Sequence, residues 1–362
     1  MSTLITVDLE ALSTNYRLCS ERLQPASCAA VVKANAYGLG IDKIAPALWK
    51  AGCEQFFTAT HREGIALRSL LPDVEIFVFE GVTEASTKAF LDHQLIPVLI
   101  SPQQGLVWAE TARRSGQPLA AAFHIDTGMT RLGFGREEMM DFIGSGGHMD
   151  WLDIRYVMTH FACADDADSG MSNTQLELFN ELRKLLPAAP TSIGNSAGAL
   201  LGEEYSGDMA RVGIALFGGN PYLEGEPPFR PVLRWQSRIL QLREISQQTP
   251  VGYGASYIAK PGTRIATVGT GYADGYPWSL GNRGIAAISG HRVPVVGRVS
   301  MDLIMLDVTN VPAHLVQPGC LVDLVGPDIT LEEVAELAGT INYVILTQLG
   351  RRARRVFTGE KP

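Results

Sequence analysis

Hydrophobic positions along this chain fall into short runs, separated by turn residues and by stretches of helical spacing. From residue 29 to about residue 218 the runs are 29–34, 56–60, 75–81, 96–101, 120–127, 154–162, 191–196 and 209–218. Segments between them, such as 83–92, 103–115 and 172–186, repeat apolar residues at the three- and four-residue intervals that bury one face of a helix. Strand alternating with helix implies a parallel sheet, since a parallel neighbour needs a crossover long enough to hold a helix. Eight such units predict a closed (β/α)8 barrel of the TIM type rather than an open doubly wound sheet.

The pattern changes at NPYLEGEPPFRP, residues 220–231, which is rich in Pro, Gly and charge. Beyond it, the runs VLRWQSRILQLREI, TRIATVGTG, IAAISGHRVPVVGRVSMDLIMLDV, CLVDLVG and YVILTQL are separated by Gly and Pro turns, with one helix-like piece at 331–338. The chain therefore reads as an α/β protein with two domains: an N-terminal barrel over 1–226 and a mostly β domain over 227–362.

Composition narrows the function classes. At 362 residues, 46% hydrophobic and 19% charged, the chain buries a sizeable core. Thirty basic against 38 acidic residues give a net charge of -8, which counts against nucleic-acid and anionic-membrane partners. The local exception is Arg351, Arg352, Arg354 and Arg355, which interrupt an apparent strand and read as structural. Five scattered cysteines with no C-x-x-C pair indicate neither a disulfide framework nor a metal site. An N-terminus without a basic leader, and the lack of any apolar run of about 18 residues, predict a cytoplasmic chain with no membrane span.

Lys33 follows Ala-Val-Val in the first barrel run, so its ammonium is expected in the barrel mouth, where desolvation lowers its pKa and favours Schiff-base chemistry. Other polar residues follow later strands: Asp126, Thr127 and Arg131 after the fifth, His160 in the sixth, Asn195 and Ser196 after the seventh, Arg211 in the eighth. Each has a plain structural reading, as a helix cap, a hydrogen-bonded core histidine or an arginine paired in the barrel. Together they face one mouth, and the last two loops are where this fold commonly holds phosphate. A lysine opposite a phosphate seat suggests pyridoxal phosphate.

At this point the chain resembles the barrel-type alanine racemases. The matching pieces are VVKANAYG, DTGMTRLGF, MTHFACAD, GNSAG, ARVGIALFG, GYGASY, GTGYADGYP and GRVSMD, in the family's order from residue 31 to residue 302. The resemblance implies two-base racemisation of L- and D-alanine with pyridoxal 5'-phosphate, supplying D-alanine for peptidoglycan or degrading it. It implies that Lys33 carries the cofactor and acts as a base on one face of the substrate. Tyr37, Ser196 and the backbone of Gly213 and Ile214 would bind the phosphate, and Arg131 would serve the cofactor phenolic oxygen and the substrate carboxylate. Met301 would approach that carboxylate through its N–H. Arg211 would face the pyridine nitrogen, with His160 beside it, and Tyr253, from the second domain of a partner subunit, would be the second base. A homodimer with shared sites follows.

Two places depart from the family's pattern: GRRARRVF has Arg351 where some members place an active-site tyrosine, and the other lies before the DTGM arginine. Many members carry a carbamylated lysine seven residues before the DTGM arginine, and here that place is His124. A neutral imidazole accepts one hydrogen bond from Arg131 but brings no negative charge. The rival readings are a non-catalytic pyridoxal-phosphate carrier, which lacks a β domain, and a decarboxylase, which wants an acid where Arg211 stands. A serine or broad-specificity racemase is the nearest alternative.

Overall fold

The computed structural model describes residues 3–146, 148–166, 168–222, 225 and 228–359, so the expected boundary between 226 and 227 lies outside the described residues. Strand β1 (Thr3–Asp8) precedes eight parallel strands: β2 (Ser27–Val31), β3 (Gln55–Thr58), β4 (Glu75–Val78), β5 (Ile96–Leu99), β6 (Leu119–His124), β7 (Leu152–Met158), β8 (Thr191–Ser192) and β9 (Met209–Val212). They close into a barrel when β9 pairs with β2 in the register Ser27↔Met209 to Ala30↔Val212. Each strand overlaps one of the eight apolar runs and stops before the run does. Past β9 the excess stays buried under the rest of the chain: Ile214 to Phe217 are almost fully buried, and Asn15 Nδ2 donates to Leu216 O at 3.2 Å and to Arg230 O at 2.9 Å, whereas Lys33, Ala34, Glu80 and Ala162 beyond other strands are exposed.

The remaining strands are β10 (Leu233–Glu244), β11 (Thr249–Val251), β12 (Tyr257–Ala259), β13 (Arg264–Val268), β14 (Ile285–Ile288), β15 (His291–Pro294), β16 (Ile304–Asp307), β17 (Leu321–Val325) and β18 (Arg354–Thr358). Most form one sheet in the order β15-β14-β17-β10-β1-β18, with β13 branching from β10 and β16 from β13. The first strand of the chain thus belongs to the sheet of the second unit. It runs antiparallel to β10, Val7 opposite Leu233, and parallel to β18, Ile5 opposite Arg355. Its alternating burial, with Thr3, Ile5 and Val7 inward, is the period of a half-buried strand. One continuous apolar core runs through both units.

YVILTQL, which reads as a β run, is instead mostly helix, Asn342–Thr347. Its buried residues, Asn342, Ile345, Leu346 and Leu349, recur at intervals of three, one and three, a helical stripe that a short apolar run conceals. In the arginine cluster, Arg352 grips the buried carboxylate of Asp274 at 2.8 and 2.9 Å, and Arg355 donates to Gly38 O at 2.9 Å. Among the described residues no helix is long and apolar enough to cross a membrane, no cluster of ligating side chains could hold a metal ion, and all five cysteines are free.

Candidate active site

Lys33 lies two residues beyond β2, where Val32 N–H still donates to Phe57 O at 2.9 Å. The chain then makes a left-handed turn, with φ of 55, 56, 52 and 52° at Ala34, Asn35, Ala36 and Tyr37. That conformation costs an L-residue about 1–2 kcal/mol, so the turn persists only because its surroundings hold it. Glu63 Oε1 accepts from Ala34 N–H at 2.7 Å, and Asn35 Oδ1 accepts from Ile41 N–H at 3.0 Å. Gly38 ends the turn at φ 82°, and a Cβ there would fall 2.3 Å from Leu346 O. The lysine opens into a cavity, with Nζ 5.5 Å from the ring centre of Phe79. Burial lowers its pKa first, then the positive charge of Arg131; Arg211 adds to this and Glu63 opposes it.

Arg211, on β9, is the most constrained polar group nearby. Its Nη1 donates to Ser192 O and Oγ at 2.8 and 2.7 Å, and its Nη2 donates to Thr159 O at 2.6 Å and Ile193 O at 3.2 Å. Nη2 also lies 3.2 Å from His160 Nδ1, while Nε is buried and has no partner. Burial and Arg131 lower the guanidinium pKa to about 9, which leaves it a cation at neutral pH. Burial of its own ring, and then the charge of Arg211, hold His160 neutral. His160 stands two residues past the end of β7, and its carbonyl accepts from Gln175 Nε2 at 2.9 Å. His124, the last residue of β6, is buried, and desolvation followed by Arg211 takes its pKa down to about 3. Arg131 lies on the loop after β6, where Asp126 Oδ1 accepts from Gly128 and Thr130 N–H at 3.0 and 3.1 Å. Its guanidinium is exposed and makes no hydrogen bond to His124 or to any other of the described residues.

Across the mouth, Gly213 N–H donates to Ser196 Oγ at 2.8 Å, and Ile214 N–H donates to no group among the described residues. A Cβ on Gly213 would meet Tyr37 Oη at 2.2 Å, so glycine keeps this backbone open to a close neighbour. Tyr37 is buried against Phe217, with ring centres 4.7 Å apart, and burial keeps its phenol protonated. Asn195 also lines the cavity and caps the next turn, its Oδ1 accepting from Gly198 N–H at 2.9 Å.

Lys33, Tyr37, Arg131, His160, Ser196, Arg211 and Gly213 all line one cavity of 1190 Å³. Tyr253 and Met301 do not. Tyr253 sits in the turn between β11 and β12 and is 72% exposed, and Met301 is 53% exposed on the second unit. The structure adds Glu63, Gln175, Phe79 and Tyr343 to the surroundings of the site. Of these only Glu63 has a local signature, the T-x-x-E capping box with Thr60.

The residues present suit an anionic, phosphorylated aromatic ring. Three cations, Lys33, Arg131 and Arg211, face it, a buried Nε donor awaits an acceptor, and neutral donors lie beside a glycine opposite the lysine.

Residues 7–221 match the alanine racemase N-terminal domain family, and residues 232–357 the alanine racemase C-terminal domain family. The alanine racemase of Rhodospirillum rubrum is 46% identical over 360 residues, covering 99% of this chain and 96% of the relative. A catabolic alanine racemase of Agrobacterium fabrum is 43% identical over 354 residues, 98% of this chain and 91% of its own length. The crystal structure of alanine racemase from Bartonella henselae with covalently bound pyridoxal phosphate superposes with a TM-score of 0.95 at 36% identity, covering 99% of each chain.

Proposed function

This chain belongs to the alanine racemase family, and from that premise we propose that it interconverts L- and D-alanine with pyridoxal 5'-phosphate at the barrel mouth. The observation that carries the reading is Arg211: a buried guanidinium with five hydrogen-bonded contacts on its outer nitrogens and an unpartnered Nε, in the cavity that Lys33 shares. When bound, the cofactor supplies an aldehyde for an amine and a ring that makes the substrate's Cα–H acidic.

The chain's own residues direct that acidity. Arg211 stays protonated with its Nε donor free, so toward a ring nitrogen it would donate a hydrogen bond, leave that nitrogen without a proton and limit how far the ring could draw off the electron pair at Cα. That favours returning a proton to Cα over moving it onto the cofactor. Ser196, Tyr37 and the N–H groups of Gly213 and Ile214 would hold the phosphate, and Arg131, unpaired among the described residues, would take the substrate carboxylate with the N–H of Met301. Lys33, its proton affinity lowered by burial and by two arginines, exchanges a proton at Nζ on one face of Cα. Racemisation needs a second group on the opposite face. Tyr253 and Met301 lie outside their own chain's cavity, on exposed surface, which supports a homodimer whose partner's Tyr253 completes the site. Neutral His160, beside Arg211, orients that phenol.

The protein then works in the cytoplasm as a homodimer, making D-alanine for peptidoglycan or degrading it. A chiral assay of the purified, yellow protein against a panel of L-amino acids tests the activity, and borohydride reduction with peptide mapping tests the lysine. Alanine is expected as the fastest substrate with the cofactor fixed on Lys33. A faster turnover of serine, or reduction onto another lysine, would overturn the reading.

A further inference from the structure

We propose that Glu63 is a positioning residue for Lys33, one that fixes the backbone behind the lysine and supplies the anionic neighbour of its ammonium. This inference rests on the reading of Lys33 as the reactive amine. Four consecutive non-glycine residues in the left-handed region follow Lys33 directly, and such a turn relaxes unless its N–H groups are held. The first of those groups, Ala34 N–H, ends on Glu63 Oε1 at 2.7 Å. The other oxygen of the same carboxylate, Oε2, accepts from Ala59 N–H at 2.8 Å and Thr60 N–H at 3.3 Å. Glu63 therefore bridges the ends of β2 and β3 with one rigid, fully used group.

The charge has its own effect. Around Lys33 stand Arg131, Arg211 and neutral His160, all of which disfavour or fail to support an ammonium, and Glu63 is the acid set against them. An amine that exchanges protons must be able to hold one as well as lose one. Burial and two guanidinium groups push Lys33 toward the free amine, and the carboxylate pulls it back. Helix capping alone explains the contacts to Ala59 and Thr60 but not the third hydrogen bond, which leaves the helix and reaches the turn behind the lysine.

The test labels the full-length, cofactor-free chain with limiting acetic anhydride across about pH 6 to 10 and reads acetyl-Lys33 by peptide mass. Glu63→Gln keeps the size and an acceptor but loses the charge, and its Lys33 midpoint is expected about one pH unit lower than in the parent. In the holoenzyme the same variant should lose about tenfold in kcat with little change in KM for alanine, as expected for a displaced reacting group. Glu63→Asp keeps the charge on a shorter arm and should restore the midpoint more than the rate. Glu80→Gln, a nearby carboxylate bonded to His61 rather than to the turn, is the control and should move neither. Midpoint and kcat both unchanged in a Glu63→Gln chain that melts normally would overturn the proposal. Labelling uses no substrate, so its outcome stands apart from whether alanine is the amino acid turned over.

Discussion

Two arginines face the same cavity in opposite states. Arg211, borne by a barrel strand, is buried and bonded through Ser192, Thr159, Ile193 and His160, with one donor left over. Arg131, borne by a loop, is exposed and has no partner among the described residues. The same contrast divides the whole mouth. On the β8–β9 side, the cradle of Ser196, Gly213 and Tyr37 is assembled within one chain, whereas on the opposite side Arg131 is free and Tyr253 and Met301 face outward. On the function proposed, the preorganised half would hold the permanent group, because rigid backbone costs nothing further when that group arrives. The half proposed to admit and release a substrate is left to be completed.

The largest effect should come from breaking the division between chains. Lys33→Ala and Tyr253→Phe homodimers are each expected to be nearly inactive, yet a mixed dimer has one site with both groups intact. Subunit exchange of equal amounts should restore about one quarter of parental activity in a two-fold dimer with independent sites. A mixture whose exchange is confirmed by mass but which stays inactive would place Tyr253 within its own site or outside the chemistry.

On the preorganised side, Arg211→Gln and Arg211→Glu should slow racemisation by about a hundredfold, the scale of losing a buried catalytic dipole. The Glu variant should also raise pyruvate formed per racemisation event, since a carboxyl partner lets the ring nitrogen hold a proton. An unchanged ratio would mean that Arg211 does not touch the ring. Gly213→Ala is milder: its Cβ would collide with Tyr37 Oη, and an overpacking penalty of about 1–3 kcal/mol should weaken cofactor retention on dialysis by tenfold or more.

The smallest effect concerns acid stability beneath Arg131. Unfolded His124 takes a proton below about pH 6.5, whereas the buried folded residue resists until about pH 3, so acidification across that window favours the unfolded chain. His124→Asn should remove about 2 kcal/mol of the stability lost between pH 7 and pH 5. Melting curves at both values check this, and an unaltered acid limb would show that His124 titrates normally.

Much of this was legible along the chain. The eight apolar runs mark the eight barrel strands, because a strand covered on both faces must be apolar throughout. The runs overshoot the strands because some apolar residues past the strand ends, Val32, Ile125, Phe161 and Ile214 among them, are themselves buried, which composition registers and strand pairing does not. β1 was not foreseen: its partners, β10 and β18, lie more than two hundred residues away, and six alternating residues do not reveal which sheet they join. The helix over Asn342–Thr347 was masked by its brevity. The absence of a bond between His124 and Arg131 is likewise tertiary, since seven residues of loop carry the guanidinium out of the imidazole's reach.

The sequence by itself determined the chemistry's inventory: a lysine in an apolar strand end, an arginine in another, a glycine and a serine where this fold commonly holds phosphate, and motifs in one family's order. Those are properties of residue type and spacing, which short-range pattern carries. Only the tertiary structure decided that Arg211 keeps a buried donor unspent, that a carboxylate from the helix after β3 holds the turn behind Lys33, and that Tyr253 stands outside its own chain's cavity. Each depends on where distant backbone atoms come to rest, and the hydrogen-bond geometry that settles it exists only once the barrel has closed.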